Sequence, residues 1–400
     1  MSIWSSLYTA TSGITAYGNA MGVVGDNVAN VGTIGFKGSR ASFAAVLGGI
    51  GPHQTRVGAG VFMDGAEVGF GQGSLQQTGD SYHMAIQGDG YFMVKGDFLG
   101  QDGMYYTRDG RFHEDHGYIV NPAGLRLQGQ AWDPLRNDFS PVRGDLQVEQ
   151  DLPPEATTLA NLRLHLKNDT TSSTTGVPAT DRQALTVYDS LGEAHSIILE
   201  FTSAGAGTNT WNWIATEGDG GPTVGSGSLD FDTEGNLVNQ SGGSLGLSFA
   251  GAASQTVDID FSGSRQSDVA GAMIYDVDGH GAESLSGIEV TDDGTIVGRY
   301  GGNLTRTLGR LALASFQADS GLEHVGSQLF QETAGSGPPG VGVAGSGGLG
   351  SVRSGVLEGS NVDLGNELVT MITYQRAFQA NARAVTAADE MLSETANLKR

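Results

Sequence analysis

Ile3, Leu7, Ala10, Ile14, Tyr17, Met21, Val24, Val28 and Val31 stand 4, 3, 4, 3, 4, 3, 4 and 3 residues apart. An unbroken alternation of this kind is a heptad seam, the pattern of a helix packed lengthwise on another helix. The same stretch, MSIWSSLYTATSGITAYGNAMGVVG, holds no charged side chain before Asp26. Of Gly13, Gly18, Gly22 and Gly25, three fall at the flanking positions that normally carry Glu and Lys in a two-stranded coiled coil. Each glycine costs about 1 kcal/mol relative to alanine in a helix interior, so the segment needs partners to be stably helical.

The end of the chain mirrors the beginning. Leu364, Met371, Phe378, Val385 and Leu392 recur every seven residues; Leu368, Ala382 and Ala396 supply a second seam that Gln375 and Asp389 interrupt. Asp363, with Asn366 and Glu367 behind it, reads as an acidic helix start, and Lys399 and Arg400 suit the opposite end of the dipole. One reading pairs the two ends, parallel or antiparallel, inside a single molecule. That pair alone leaves uncharged flanks wet, so the sharper reading is a pair that becomes ordered and covered only among many copies.

Charge supports the division. The whole chain carries a formal −23, yet residues 1–40 sum to +1 and 361–400 to −1, so the excess lies entirely in 41–360. An acidic middle argues against nucleic acid or an anionic membrane as partner. Cysteine is absent, which excludes disulfides, thiolate metal sites and cysteine nucleophiles. No basic n-region precedes the first apolar positions, and no window has the apolar length of a membrane span, so neither a cleaved signal peptide nor membrane insertion is expected.

Between the ends the period falls from 3.5 to 2. NLRLHLK (161–167), TVDIDF (256–261) and RLALASF (310–316) alternate as half-buried strands do. FHEDHGYIV (112–120), FDTEGNLV (231–238) and VTDDGTIV (290–297) each bracket a polar, glycine-bearing turn with apolar ends, which predicts three hairpins. DLPPEATT (151–158) and NDTTSSTTGVPATD (168–181) read as entry to a separate unit, the Gly-rich stretches near 250–267 as its exit, and GSGPPGVGVAGSGGLGS (335–351) as a flexible surface loop. The expected fold is mainly β with α-helical termini that pair as a coiled coil, plus two nested antiparallel β domains, one of them discontinuous. In numbers, 1–30 and 361–400 form a helical domain and 31–72 an extended connector. A discontinuous β domain takes 73–145 and 271–360, with an inserted β domain at 146–270.

No catalytic or cofactor constellation survives inspection. GVGVAG (340–345) has dinucleotide-like glycine spacing but sits in a Pro/Gly stretch, and GGSLG (242–246) lacks the strand–turn–helix context of a nucleophile elbow. DVDGHGAES (276–284) places Asp276, Asp278 and His280 like the first ligands of a calcium loop, but Gly287 stands where the bidentate carboxylate belongs. His83, His113 and His116 read as strand or turn residues, and Trp211 and Trp213 as core. The expectation is a non-enzyme without metal or cofactor.

NVANVGTIGFKGSR (27–40) closely resembles the rod-and-hook signature of bacterial flagellar axial proteins, carried by Asn27, Asn30, Gly35, Phe36 and Lys37. GDGYFMV (88–94), YTRDGRFHEDHGYIVNPAGLRLQG (106–129), VYDSLGEAH (187–195), 305–333 and 360–400 look like successive blocks of the same family. The length and the single inserted unit point to its hook branch; a distal rod protein, a hook-associated protein or, in another class, a secreted β-rich adhesin are the alternatives. The resemblance implies a homopolymer forming a hollow, flexible joint outside the cell. It also implies export through the flagellar type III apparatus without a cleaved signal, growth beneath a cap, and rod and hook-associated proteins at the two ends. An adhesin would instead need an exposed aromatic patch, for which Trp211, Trp213 and Phe231 are the candidates.

Overall fold

The computed structural model describes residues 3–46, 58–167, 180–205, 208–267, 273–301 and 304–397. The fold is mainly β, with helix α1 (Ile3–Ala29) near the start and α2 (Leu364–Asn397) near the end. Two compact units divide the chain: one joins 1–149 with 286–299 and the segment from 303 onward, the other takes 150–285 with 300–302.

In the first unit the two helices run antiparallel. Gly13 faces Asn381, the Tyr17 ring lies 5.8 Å from that of Tyr374, and Asn27 Nδ2 donates to Glu367 Oε1 at 3.1 Å. In the hydroxyl-rich start of α1 the threonine side chains are satisfied within the helix by bonding one turn back: Thr9 to Ser5 O, Thr11 to Leu7 O and Thr15 to Thr11 O. Asp363 caps α2 as its position predicts, its Oδ1 accepting the Gly365 N–H at 2.8 Å and its Oδ2 the Asn366 side-chain amide. The strands Ser39–Ala45 and Val61–Val68 pair antiparallel and lie against α1, with Phe43 packed between Tyr17 and Tyr374.

The β part of this unit is built from both sides of the insertion. Arg126–Asp133 pairs with Tyr91–Phe98 on one side and with Thr305–Leu311 on the other, and Tyr91–Phe98 pairs with Gln101–Thr107. Its aromatic core sets Phe70, Tyr91, Tyr106, Phe316 and Phe330 edge to face. The expected hairpins form: His113–Asp115 turns through His116 and Gly117, both at positive φ, into Tyr118–Val120, and Glu283–Val290 turns through Gly294 into Thr295–Tyr300.

Two stretches depart from expectation. RLALASF is not one strand: Thr305–Leu311 ends before Ala312, and Leu313–Ser315 turns to Tyr91–Phe92. Leu311 to Ala314 are all buried, so alternation there marks a change of partner rather than a solvated face. The Pro/Gly stretch 335–351 is packed rather than loose. Gly340–Gly342 pairs with Leu313–Ser315, and Ser336, Ala344 and Leu349 are buried, because glycines let the backbone lie close to its neighbours.

The second unit has two five-stranded sheets that share one core. Leu159–Lys167 alternates strictly, burying Ala160, Leu162, Leu164 and Leu166, and Thr210–Glu217 buries Trp211, Trp213 and Ala215. Thr223–Phe231 turns through Gly235 into Leu237–Ser241, the third expected hairpin. The unit extends past residue 270, since Met273–Val277 pairs along Leu159–Lys167 and the return strand begins only at Glu283. Residues 168–179 of the expected entry linker, and 47–57 of the connector, lie outside the described residues.

Candidate assembly surface and the helix-to-sheet junction

Within one chain the buried line of α1 takes in only part of the heptad seam, at Ala10 and Val24. Ala10, Ala16, Ala20, Val24 and Asn27 are buried, and Gly13 with them, whereas Leu7, Ile14, Tyr17, Met21 and Val28 lie half-buried along the margin and Val31 is exposed. Coiled-coil pairing through the large residues therefore gives way to a closer contact through small ones: a Cβ on Gly13 would stand 2.8 Å from the Asn381 side chain. Met371, Phe378, Val385 and Leu392 are half-buried, and Leu364 and Leu368 face outward. Gly18, Gly22 and Gly25 have open space where a side chain would stand. The side chains of Ile3 and Ala396 lie outside the described residues.

The signature residues converge where α1 ends. Asn27 grips the chain as it turns back: its Oδ1 accepts the Ser39 N–H at 2.8 Å, and its Nδ2 donates to Ser39 O at 2.7 Å. Asn30 closes the last turn, donating to Asp26 O and accepting the Thr33 hydroxyl at 3.1 Å. Gly35 takes φ 70°, and a Cβ there would stand 2.7 Å from Asp109 N. Gly35→Ala therefore combines left-handed strain with a backbone clash, and should cost about 2–3 kcal/mol, read as a lowered urea midpoint. Phe36 is buried beside it.

Lys37 is the centre of the junction. Its Nζ donates to Glu358 Oε1 at 2.6 Å and to Gly71 O at 2.9 Å, and both members of the pair are wholly buried. Glu358 Oε1 also accepts the Gly73 N–H at 2.8 Å, and Oε2 faces Arg108 at 3.3 Å. Arg108 in turn donates to Gly88 O and stacks over Tyr91. Burial pulls the Lys37 ammonium below the usual lysine range, with Glu358 acting against that pull. Asn361 completes the clasp, accepting the Gly38 N–H and donating to Gly69 O and Gly71 O. Four segments distant in sequence, 35–39, 69–73, 108 and 358–361, are thus joined at one point.

Arg108, Glu358 and Asn361 escaped the sequence reading. Only Glu358 carried a local signal, as the single charged residue of VLEGSNV (356–362).

Other candidates resolve into structural roles. Asp278 accepts the Thr158 and Leu159 N–H groups, and His280 bridges to Glu155. Asp189, Glu193 and His195 offer ligand atoms within 4.8 Å of one another. Asp189 Oδ1, however, accepts the N–H groups of Leu191 and Glu193, while His195 stacks on Phe249 with centroids 3.6 Å apart. That arrangement braces a turn. Trp211, Trp213 and Phe231 are buried, so these three do not form the exposed aromatic patch an adhesin would need.

Three family models match along the chain: a flagellar hook protein FlgE/F/G D1 domain over 85–161, a flagellar basal body protein FlaE D2 domain over 156–280, and a flagellar basal body rod FlgEFG protein C-terminal region over 353–398. The flagellar hook protein FlgE of Salmonella typhimurium is 31% identical, over 98% of this chain and all of its own. This chain belongs to the flagellar hook protein family. The hook protein of Borreliella burgdorferi is 32% identical across 98% of the chain and 99% of its own length. The crystal structure of Helicobacter pylori flagellar hook protein FlgE2 shares the fold with a TM-score of 0.50 at 14% identity, covering 71% of this chain and all of that one. In hook-family terms, the C-terminal match takes in Glu358, Asn361 and α2, and the D1 match takes in Arg108, so the junction is held by matched segments on both sides of the insertion.

Proposed function

We propose that the chain is the structural subunit of the flagellar hook, polymerising into a curved, flexible hollow tube that links the rod to the filament and transmits torque. The observation that carries this reading is end-to-end similarity to hook proteins in a chain whose helices leave apolar side chains uncovered. The seam residues Leu7, Ile14, Tyr17, Met21 and Val28 of α1 and Val31 just beyond it, with Leu364, Leu368, Met371, Phe378, Val385 and Leu392 of α2, are proposed as contacts between copies. Each contributes about 1.5–3 kcal/mol when fully buried, enough for a stiff inner layer built from many of them.

The β units carry the acidic excess and form the outer, wetter contacts that exchange as curvature rotates. The clasp around Lys37 fixes how the chain leaves the helices, and so sets the tilt of the subunit. Partners beyond the homopolymer are proposed as rod and hook-associated axial proteins at the two ends, with a cap and the flagellar export apparatus during growth. No described helix is long and apolar enough to cross a membrane. No enzymatic activity is proposed.

Electron microscopy of the purified chain under assembly conditions tests the reading. Hollow tubes are expected; a chain that stays monomeric at every concentration and salt tried overturns it.

A further inference from the structure

Two uncovered apolar surfaces lie on the first unit. One is the outward stripe of α2, Leu364, Leu368 and Ile372 at four-residue spacing with Val369 beside it, and these are 42%, 46%, 49% and 64% exposed respectively. The other is a groove of about 340 Å³ between α1 and Val61–Val68, whose apolar wall is formed by Tyr8, Ala16, Val61, Phe62 and Met63. None of the side chains lining it is charged.

We propose that the α2 stripe of one copy seats in the α1 groove of a second copy; the inference rests on the reading of the chain as a polymer subunit. Copies carrying −23 repel one another unless they meet where charge is absent, and both surfaces meet that condition. Asp363 flanks the stripe at the helix start, where it is engaged as the cap of α2; at the far margin the charges are opposite. Arg376 stands exposed four residues beyond Ile372, and Asp64 stands exposed two residues beyond Phe62, as the extra residue of a β-bulge opposite Ser42 and Phe43. Four helical residues span about 6 Å and two strand residues about 6.7 Å, so seating Ile372 on Phe62 brings Arg376 within reach of Asp64. Neither charge is in an ion pair among the described residues. Stripe and groove are different surfaces, so the contact is head-to-tail. It leaves one free stripe and one free groove after each addition and does not close as a two-fold contact does.

Charge exchange in the full-length chain tests this. Arg376→Asp and Asp64→Arg should each raise the concentration at which polymers form about fivefold, and the double exchange should restore it to about the wild-type value. Polymers indifferent to either single exchange, or a double variant no better than the singles, overturn the contact. A second measurement uses the absence of native cysteine. A chain with both Phe62→Cys and Ile372→Cys, co-assembled with wild type and oxidised, should give a ladder of crosslinked copies, while either single variant gives none; polymers without the ladder overturn the contact. Failure of the wild-type chain to polymerise at all would overturn the subunit reading itself, and this contact with it.

Discussion

Glu358→Ala is expected to destabilise the first unit by about 3–5 kcal/mol, because it leaves Lys37 and Arg108 buried beside one another with no anion between them. The loss exceeds that of an exposed ion pair by several-fold, since neither cation can reach water without opening the junction. The Gly73 N–H loses its acceptor at the same time. Native-state amide exchange is the measurement. Protection should fall across 35–38, 71–73 and 108–110, while the strands Thr180–Tyr188, Ala194–Ser203 and Thr210–Glu217, which have their own core, keep theirs. Uniform loss of protection in both units, or none in either, would contradict the role assigned to Glu358.

Leu364→Asp has the opposite profile: little effect on the isolated chain and a large one on assembly. Leu364 opens α2 and is largely exposed, so an acidic side chain there suits the helix dipole and gives up little internal packing. In a polymer that buries this position, the change forfeits about 2 kcal/mol of apolar burial and adds the cost of desolvating a carboxylate. The critical concentration should rise by about a hundredfold or more. Sedimentation checks it: monomers with wild-type circular dichroism and no tubes are expected, and normal tubes at the wild-type concentration would remove Leu364 from the proposed contacts.

Much of the fold was legible because period and burial agree. Leu159–Lys167 alternates in sequence and alternates in burial, and each glycine-bearing turn expected between apolar ends became a hairpin. Legibility failed where one strand serves two partners, as at Ala312, and where glycine signals close packing instead of looseness, as in 335–351. The helices were located by their heptads, but of the α1 seam only Ala10 and Val24 lie on the face buried within the chain. Alanines and Gly13 occupy that face, since small residues allow an approach that Leu and Met would prevent. The sequence reading placed the ordering and covering of the helix pair in an assembly of many copies; within one chain the helices are already docked antiparallel, with most of the large seam side chains half-buried. The junction was half legible. Asn27, Gly35 and Lys37 came from the signature, but their partners Glu358 and Asn361 lie more than three hundred residues away, and no local pattern could join them.

The strands that lead into and out of the second unit pair with each other, Asp151 opposite Ser284 and Leu152 opposite Glu283. Cutting the chain at that rung and closing it again would ask for no more than a tight turn, because the host already holds both cut ends one strand-spacing apart. The host sheet is therefore indifferent to how much polypeptide the excursion contains. An excursion lengthened, shortened or exchanged between those two positions would leave the pairing of that rung unchanged.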